Sequence, residues 1–143
     1  MSDKNDARVQ YAALPYRRNN DRTLDVLLIT SRENRRWVIP KGWPVADLPP
    51  NESAAHEAME EAGVIGSISK KPIGSYPYEK RLSDGSAVRC RVRVFALDVE
   101  KQFPSWREQD QRRRKWFVAH QAVAAVKEPE LRAIIRRLTA RPA

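Results

Sequence analysis

The chain has 143 residues, with 27 Lys plus Arg against 18 Asp plus Glu, for a net charge of +9. That length suits one globular domain spanning residues 1–143, with one core and one main site. At 41% hydrophobic and 31% charged, the composition excludes collagen, coiled coil and a disordered polyelectrolyte, and leaves a packed α/β domain open.

In chain order, residues 8–17 (RVQYAALPYR) and 24–30 (LDVLLIT) read as two strands joined by a polar turn at 18–22, a hairpin. Trp37 to Ile39 form a short apolar run stopped by Pro40. Gly42, Pro44, Pro49 and Pro50 then keep the chain irregular. A helix is expected from about Asn51 to Ala62, with Gly63 as its C-terminal stop. Residues 64–78 read as a strand interrupted at Gly66 and Gly74, and 87–99 as a second strand, with a turn at Ser83 to Ser86 between them. Val88, Cys90, Val92 and Val94 alternate with Arg89, Arg91 and Arg93, the period of a strand with one buried face. A polar loop over 100–114, a short strand at Trp116 to Val118, a helical segment from about Gln121 and another after Pro129 complete the chain. Leu131, Ile134, Ile135 and Leu138 make one apolar face of that last helix.

The longest strongly apolar run, Val26 to Ile29, is far short of the roughly 20 residues of a membrane span. The opening MSDKNDAR lacks a signal peptide's apolar stretch, so a soluble, cytoplasmic protein without membrane contact is expected. Cys90 is the single cysteine, which excludes an intrachain disulfide and a thiolate-rich zinc site; Cys90 and His120 are assigned to structure.

Within the first helix Glu57, Glu60 and Glu61 stand at i, i+3 and i+4, so three carboxylates share one side within a turn. Like charges at that spacing are each unfavourable by about 0.2–0.5 kcal/mol, and the nearby helix C-terminus repels them further. One reading is a solvated acidic face. The other is a site for Mg²⁺ or Mn²⁺, which clustered carboxylate oxygens suit and a glycine loop admits. Arg35, Arg36 and Lys41 lie just before that loop, where guanidinium and ammonium groups can hold phosphate; Arg36 and Lys41 are the favoured contacts. Trp43, Tyr76 and Tyr78 are candidates for stacking on a base. The basic charge is lopsided: residues 1–72 carry a net of +1 and residues 73–143 a net of +8. Such a field attracts polyanions without specifying which.

Residues 42–64, GWPVADLPPNESAAHEAMEEAGV, resemble the Nudix box, G-x5-E-x7-R-E-U-x-E-E-x-G-U with U aliphatic. Gly42, Glu57, Glu60, Glu61, Gly63 and Val64 match without an insertion. Leu48 and His56 replace a Glu and an Arg that usually pair with each other, and losing both together strands no charge. The likeness extends to LLITSRENRRWVIPKGW and KWFVAHQAV. The turn at Ser31 and Arg32 before Arg36 and Trp37, the Trp106 to Arg114 loop and the Arg114 to Phe117 ending are similar to the diphosphoinositol and diadenosine polyphosphate hydrolases.

The resemblance implies the Nudix fold, an α/β/α sandwich with a central mixed sheet and the box as loop plus helix. It implies Mg²⁺- or Mn²⁺-dependent cleavage of a diphosphate bond in a highly phosphorylated small molecule, of diadenosine polyphosphate or diphosphoinositol polyphosphate type. It assigns Glu57 and Glu61 to metal and Glu60 to the general base, with Glu57 as the alternative base and Glu60 as a further ligand. The Lys41 backbone carbonyl and Glu108 are further metal ligands, and Arg32, Arg35, Arg36, Lys41 and Gly42 meet the substrate. Two other readings stay open: an RNA 5′ pyrophosphohydrolase, motivated by the basic half, and a catalytically silent nucleotide-binding module, motivated by Leu48 and His56. Nucleic acid is a possible partner that is not favoured, and the chain is expected as a monomer or homodimer.

Overall fold

The computed structural model describes residues 8–140. Strand β1 (Arg8–Arg18) and strand β2 (Leu24–Thr30) form the expected antiparallel hairpin, with Tyr16 opposite Val26. Their turn is closed by the Asn19 N–H donating to the Thr23 carbonyl at 2.9 Å, with Arg22 in the left-handed region at φ 73°. Strand β3 (Trp37–Val38) pairs with the far end of β2, and strand β4 (Lys41–Gly42) returns to the first half of β1, where Tyr11 lies opposite Gly42. The two ends of β1 are therefore held by different strands. The fork between β2 and β4 opens beside the glycine loop.

Helix α1 (Pro50–Ala62) begins one residue before its expected start, with Pro50 in its first turn, where a missing N–H costs nothing. It ends on Gly63 in the left-handed conformation (φ 69°). The region read as one interrupted strand is two, β5 (Val64–Ile68) and β6 (Gly74–Arg81). Gly66 does not break β5 but sits at a register shift within it. Both strands lie along the same edge of β7 (Ala87–Gln102): β6 pairs with its first half and β5 with its second. β7 is longer than the expected 87–99 because β5 continues to supply partners out to Gln102. Strand β8 (Arg114–Val118), helix α2 (Ala119–Ala125) and helix α3 (Pro129–Thr139) follow.

The sheet runs β3-β2-β1-β7-β5, with β4, β6 and β8 attached to β1, β7 and β2. It is mixed: β1 and β7 are parallel and the other pairs antiparallel. Helices cover both faces, so its central strands read as continuous apolar runs, as in LDVLLIT, where all seven residues are buried. On one face Ala12, Leu14, Val26, Leu28, Val92 and Val94 pack against Leu131, Ile134, Ile135 and Leu138 of α3 and Ala122 of α2. On the other, Ala13, Leu27, Ile29, Phe95 and Leu97 pack against Ala54, Ala58 and Ala62 of α1. Alanines at that interface let the α1 backbone come close to the sheet, which brings its charged side chains up to β4. This is the expected α/β/α sandwich. Among the described residues, no helix is long and apolar enough to cross a membrane.

Candidate functional site

A cleft of about 420 Å³ opens at the fork of the sheet. Its walls combine Glu57 and Glu61 of α1, Lys41 and Gly42 of β4, Tyr78 and Lys80 of β6, Gln10 of β1, Ser31, Arg32 and Glu33 after β2, and Glu108 and Arg112 from the loop before β8.

That loop is anchored on the C-terminus of α1, whose last carbonyls need donors. The Trp106 indole N–H donates to the Glu61 carbonyl at 3.0 Å, Arg114 Nη1 to the Ala62 carbonyl at 2.8 Å, and the Phe103 N–H to the Gly63 carbonyl at 2.8 Å. Arg114 stacks over the Trp106 ring at 3.7 Å, and its cation complements the negative helix end. The same loop carries Glu108 and Arg112 into the cleft, so its arginines serve the site through structure. At the other end of the box, the Val45 N–H donates to the buried Ser53 hydroxyl at 3.0 Å, tying glycine loop to helix.

The carboxylates are unequal. Glu61 is 7% exposed; it accepts the Lys41 backbone N–H at 3.2 Å and lies 3.7 Å from Arg112 Nη2. Burial pushes its pKa up to about 8, against the opposing pull of Arg112, with Glu57 adding to the rise. Glu57 is also raised, by burial first. Its carboxyl group lies against Gly42, in the space a side chain there would fill. Glu108 accepts from Arg112 Nε at 2.7 Å. Lys41 extends over the Tyr78 ring, its Nζ 4.0 Å from the centroid, and burial pushes its pKa down to about 8.

Of the residues expected at the site, Glu57, Glu61, Glu108, Lys41, Gly42 and Arg32 all line one cleft. Others lie elsewhere. Glu60 is not among the lining residues; its carboxylate pairs with the exposed Arg107 at 3.2 Å, because the loop before β8 passes on that side of α1. Arg36 lines a neighbouring cavity of about 360 Å³ and pairs with Glu128 at 3.0 Å. Arg35 is exposed in the turn after β2, at φ 58°, and lines neither. Tyr76 is buried in the core and unavailable for stacking, whereas Tyr78 and Trp43 line the cleft. Cys90 is buried as expected; His120 is exposed on α2. The sequence pattern missed Gln10, Glu33, Lys80 and Ser53. Arg112, four residues after Glu108, carried an i, i+4 signal within the loop read only as polar.

The crowding of three glutamates does not require an ion as its sole remedy, since Arg107 and Arg112 each meet one of them. Among the described residues no three His, Cys, Asp or Glu side chains stand together as a ready ligand set. The donors nevertheless fit a hard divalent cation. Glu57 and Glu61 offer oxygens at the edge of an open cleft, both favour a partner for their buried charge, and the missing side chain of Gly42 lets the Glu57 carboxylate lie directly against the loop backbone.

The fold is an α/β/α sandwich with a loop-helix carboxylate cleft that cations also line. Comparison with known proteins identifies the family: the NUDIX domain family matches residues 8–140, and the chain belongs to the Nudix hydrolase family. It is 33% identical over 135 residues to "Nudix hydrolase 13, mitochondrial" of Arabidopsis thaliana, covering 83% of this chain and 67% of that protein. It is 29% identical over 102 residues to "Diphosphoinositol polyphosphate phosphohydrolase 2" of Rattus norvegicus, covering 69% and 52%. The chain thus spans about half to two thirds of the length of the curated relatives it matches. Among solved structures, the fold resembles a C. elegans Ap4A hydrolase in a binary complex (TM-score 0.68, 17% identity, 94% of this chain and 96% of that one). It also resembles the NUDIX domain of Shewanella oneidensis NrtR complexed with ADP ribose (TM-score 0.69, 14% identity, 95% and 90%). Several relatives are named as mitochondrial, so the cytoplasmic expectation finds no support among these names.

Proposed function

We propose that this protein is a metal-dependent pyrophosphohydrolase that cleaves a diphosphate bond in a phosphorylated small molecule, of the diadenosine polyphosphate or diphosphoinositol polyphosphate type. The observation that carries the reading is the meeting of Glu57, Glu61 and Glu108 with Lys41, Lys80, Arg32 and Arg112 in one cleft. Carboxylates hold a cation, and cations hold a phosphate chain.

Glu57 and Glu61 would hold Mg²⁺ or Mn²⁺, with Glu108 and the Lys41 backbone carbonyl as further donors. A bound ion of this kind neutralises the diphosphate and lowers the pKa of an attacking water. Gly42 keeps the loop backbone beside the Glu57 carboxylate, and the Lys41 N–H fixes the Glu61 oxygen. Lys41, Lys80 and Arg32, which line the same cleft, would bind phosphate oxygens. Either Glu57, which lines the cleft, or Glu60, which pairs with Arg107, would accept the proton from water, and the cleft lining supports Glu57.

The departures at Leu48 and His56 do not speak for a silent module: both line a shallow groove with Met59 and Ile65, and neither lines the cleft. Two arginines of the basic half are turned inward, Arg112 onto Glu61 and Glu108 and Arg114 onto the end of α1, which favours a small molecule over RNA. The test is incubation with Mg²⁺ or Mn²⁺ and diadenosine polyphosphates, diphosphoinositols, nucleotide sugars, nucleoside triphosphates and 5′-triphosphorylated RNA. Turnover of a small phosphoanhydride is expected. Turnover of none would remove the proposal, and a preference for RNA would replace it.

A further inference from the structure

Gln10 has no part in the chemistry above, yet it lines the cleft while only 3% exposed, and its Oε1 has no hydrogen-bond partner. Among the described residues, one other buried side-chain atom shares that condition, Arg36 Nη1, and Arg36 lines the neighbouring cavity. Buried polar atoms are normally satisfied, so an orphan at a cleft wall asks what completes it.

The flanking strand supplies no donor, and neither Lys41 nor Lys80, which line the same cleft, hydrogen-bonds to Oε1. Gln10 lies level with Val92 of β7, and the next pair along that face sets Arg8 level with Cys90. Valine offers no donor. The Cys90 Sγ is already directed at the Val88 carbonyl at 3.7 Å. Leu or Met would fill this position beside Val92 without stranding a polar group, so the amide is unfavourable for folding where it stands.

We infer that Gln10 is a specificity-determining residue, whose amide oxygen accepts a hydrogen bond from a hydroxyl or amino group on the non-phosphate part of the substrate. The inference rests on the proposed function and narrows it. Phosphate oxygens near neutral pH are acceptors and cannot serve Oε1, and Lys41, Lys80 and Arg32 are there to meet them. A sugar hydroxyl or a base amine can. The site therefore selects a nucleoside-bearing phosphoanhydride over a polyol whose hydroxyls are all phosphorylated. The terminal torsion of Gln is soft, so the amide can turn its oxygen to the ligand without moving β1.

ADP and inorganic pyrophosphate share a diphosphate and differ by the nucleoside, so their binding in the presence of Mg²⁺ isolates the effect. Gln10→Leu is expected to melt no lower than wild type, to bind ADP about tenfold more weakly, the size of one lost hydrogen bond, and to keep its pyrophosphate affinity. Equal weakening of both ligands, or of neither, would overturn the inference. Should Gln10→Leu fail to fold, wild-type protein answers the same question: an ADP analogue lacking either the ribose hydroxyls or the base amine should bind about tenfold more weakly than ADP. Equal affinity for ADP and every such analogue would overturn it. If neither ADP nor pyrophosphate binds wild type at all, the proposed function fails first and this inference falls with it.

Discussion

The Glu57 carboxylate occupies the space of a side chain that Gly42 lacks: a Cβ built on Gly42 would stand 2.5 Å from the Glu57 Cδ and Oε2 and 2.8 Å from Oε1. Gly42 has no left-handed φ, so its backbone tolerates alanine. Gly42→Ala should therefore leave the melting temperature within a few degrees of wild type while displacing Glu57. Misplacing a reacting group by about 1 Å costs on the order of 100-fold in rate, and a kcat/KM loss of that size is expected. Undiminished activity together with undiminished Mn²⁺ affinity by calorimetry would show that the contact does not matter.

The glutamates of α1 should separate by position. Glu57→Gln and Glu61→Gln remove charges inside the cleft, and each should lower kcat by about 10²- to 10⁴-fold. Glu60→Gln breaks a pair with the exposed Arg107, which contributes about 1 kcal/mol or less to stability, and its rate loss should stay near tenfold. Steady-state kinetics of the three variants decides this. A Glu60→Gln loss as deep as that of Glu57→Gln would return Glu60 to the reacting centre.

Arg112 holds the cleft's acid side together. Its side chain is 9% exposed and reaches Glu108 at 2.7 Å, Glu61 at 3.7 Å and the Thr30 carbonyl at 3.1 Å. Arg112→Met leaves two part-buried carboxylates without their cation and should destabilise the metal-free protein by about 3 kcal/mol in urea. Added Mg²⁺ should recover more stability in this variant than in wild type, because the ion replaces the missing charge. Identical Mg²⁺ increments in both proteins would contradict that account.

Gly63 links helix and loop. It is left-handed at φ 69°, and a Cβ there would meet Arg114 Nη1 at 2.7 Å and the Trp106 Cβ at 2.8 Å. Gly63→Ala should cost about 1–3 kcal/mol from backbone strain alone. Trp106→Phe, which keeps an aromatic ring but drops the indole N–H donated to the Glu61 carbonyl, should cost about 1 kcal/mol or more. Thermal melts measure both, and a Gly63→Ala cost below about 1 kcal/mol would contradict the stated origin.

Metal removal gives a separate check. Dialysis against a chelator should abolish turnover, and either Mg²⁺ or Mn²⁺ should restore it, since oxygen donors of this kind accept both. Full activity in excess chelator would refute a metal-dependent reaction.

Much of this arrangement was legible in one dimension. The run LDVLLIT announces a strand, the Pro50 to Gly63 interval announces a helix with its stop, and the spacing of Glu57, Glu60 and Glu61 within 42–64 announces the box. The limits are equally specific. Gly66 looks like a break but is a bulge, because β7 continues to offer partners on either side of it. Arg36 looks like a phosphate contact but is drawn to Glu128, which lies 92 positions away in the chain.

Local chemistry thus settled what depends on neighbours in the chain: helix limits, strand alternation and the donor types gathered near Gly42. Folding decided which of those donors face one another. Glu60 turns to Arg107 while Glu57 and Glu61 enter the cleft, Glu108 and Arg112 arrive there on a loop fastened by Trp106 and Arg114, and Gln10 is left beside Val92 without a partner. Side-chain direction in these cases is set by long-range packing and by the search of buried polar groups for counterparts, and neither is written in spacing along the chain.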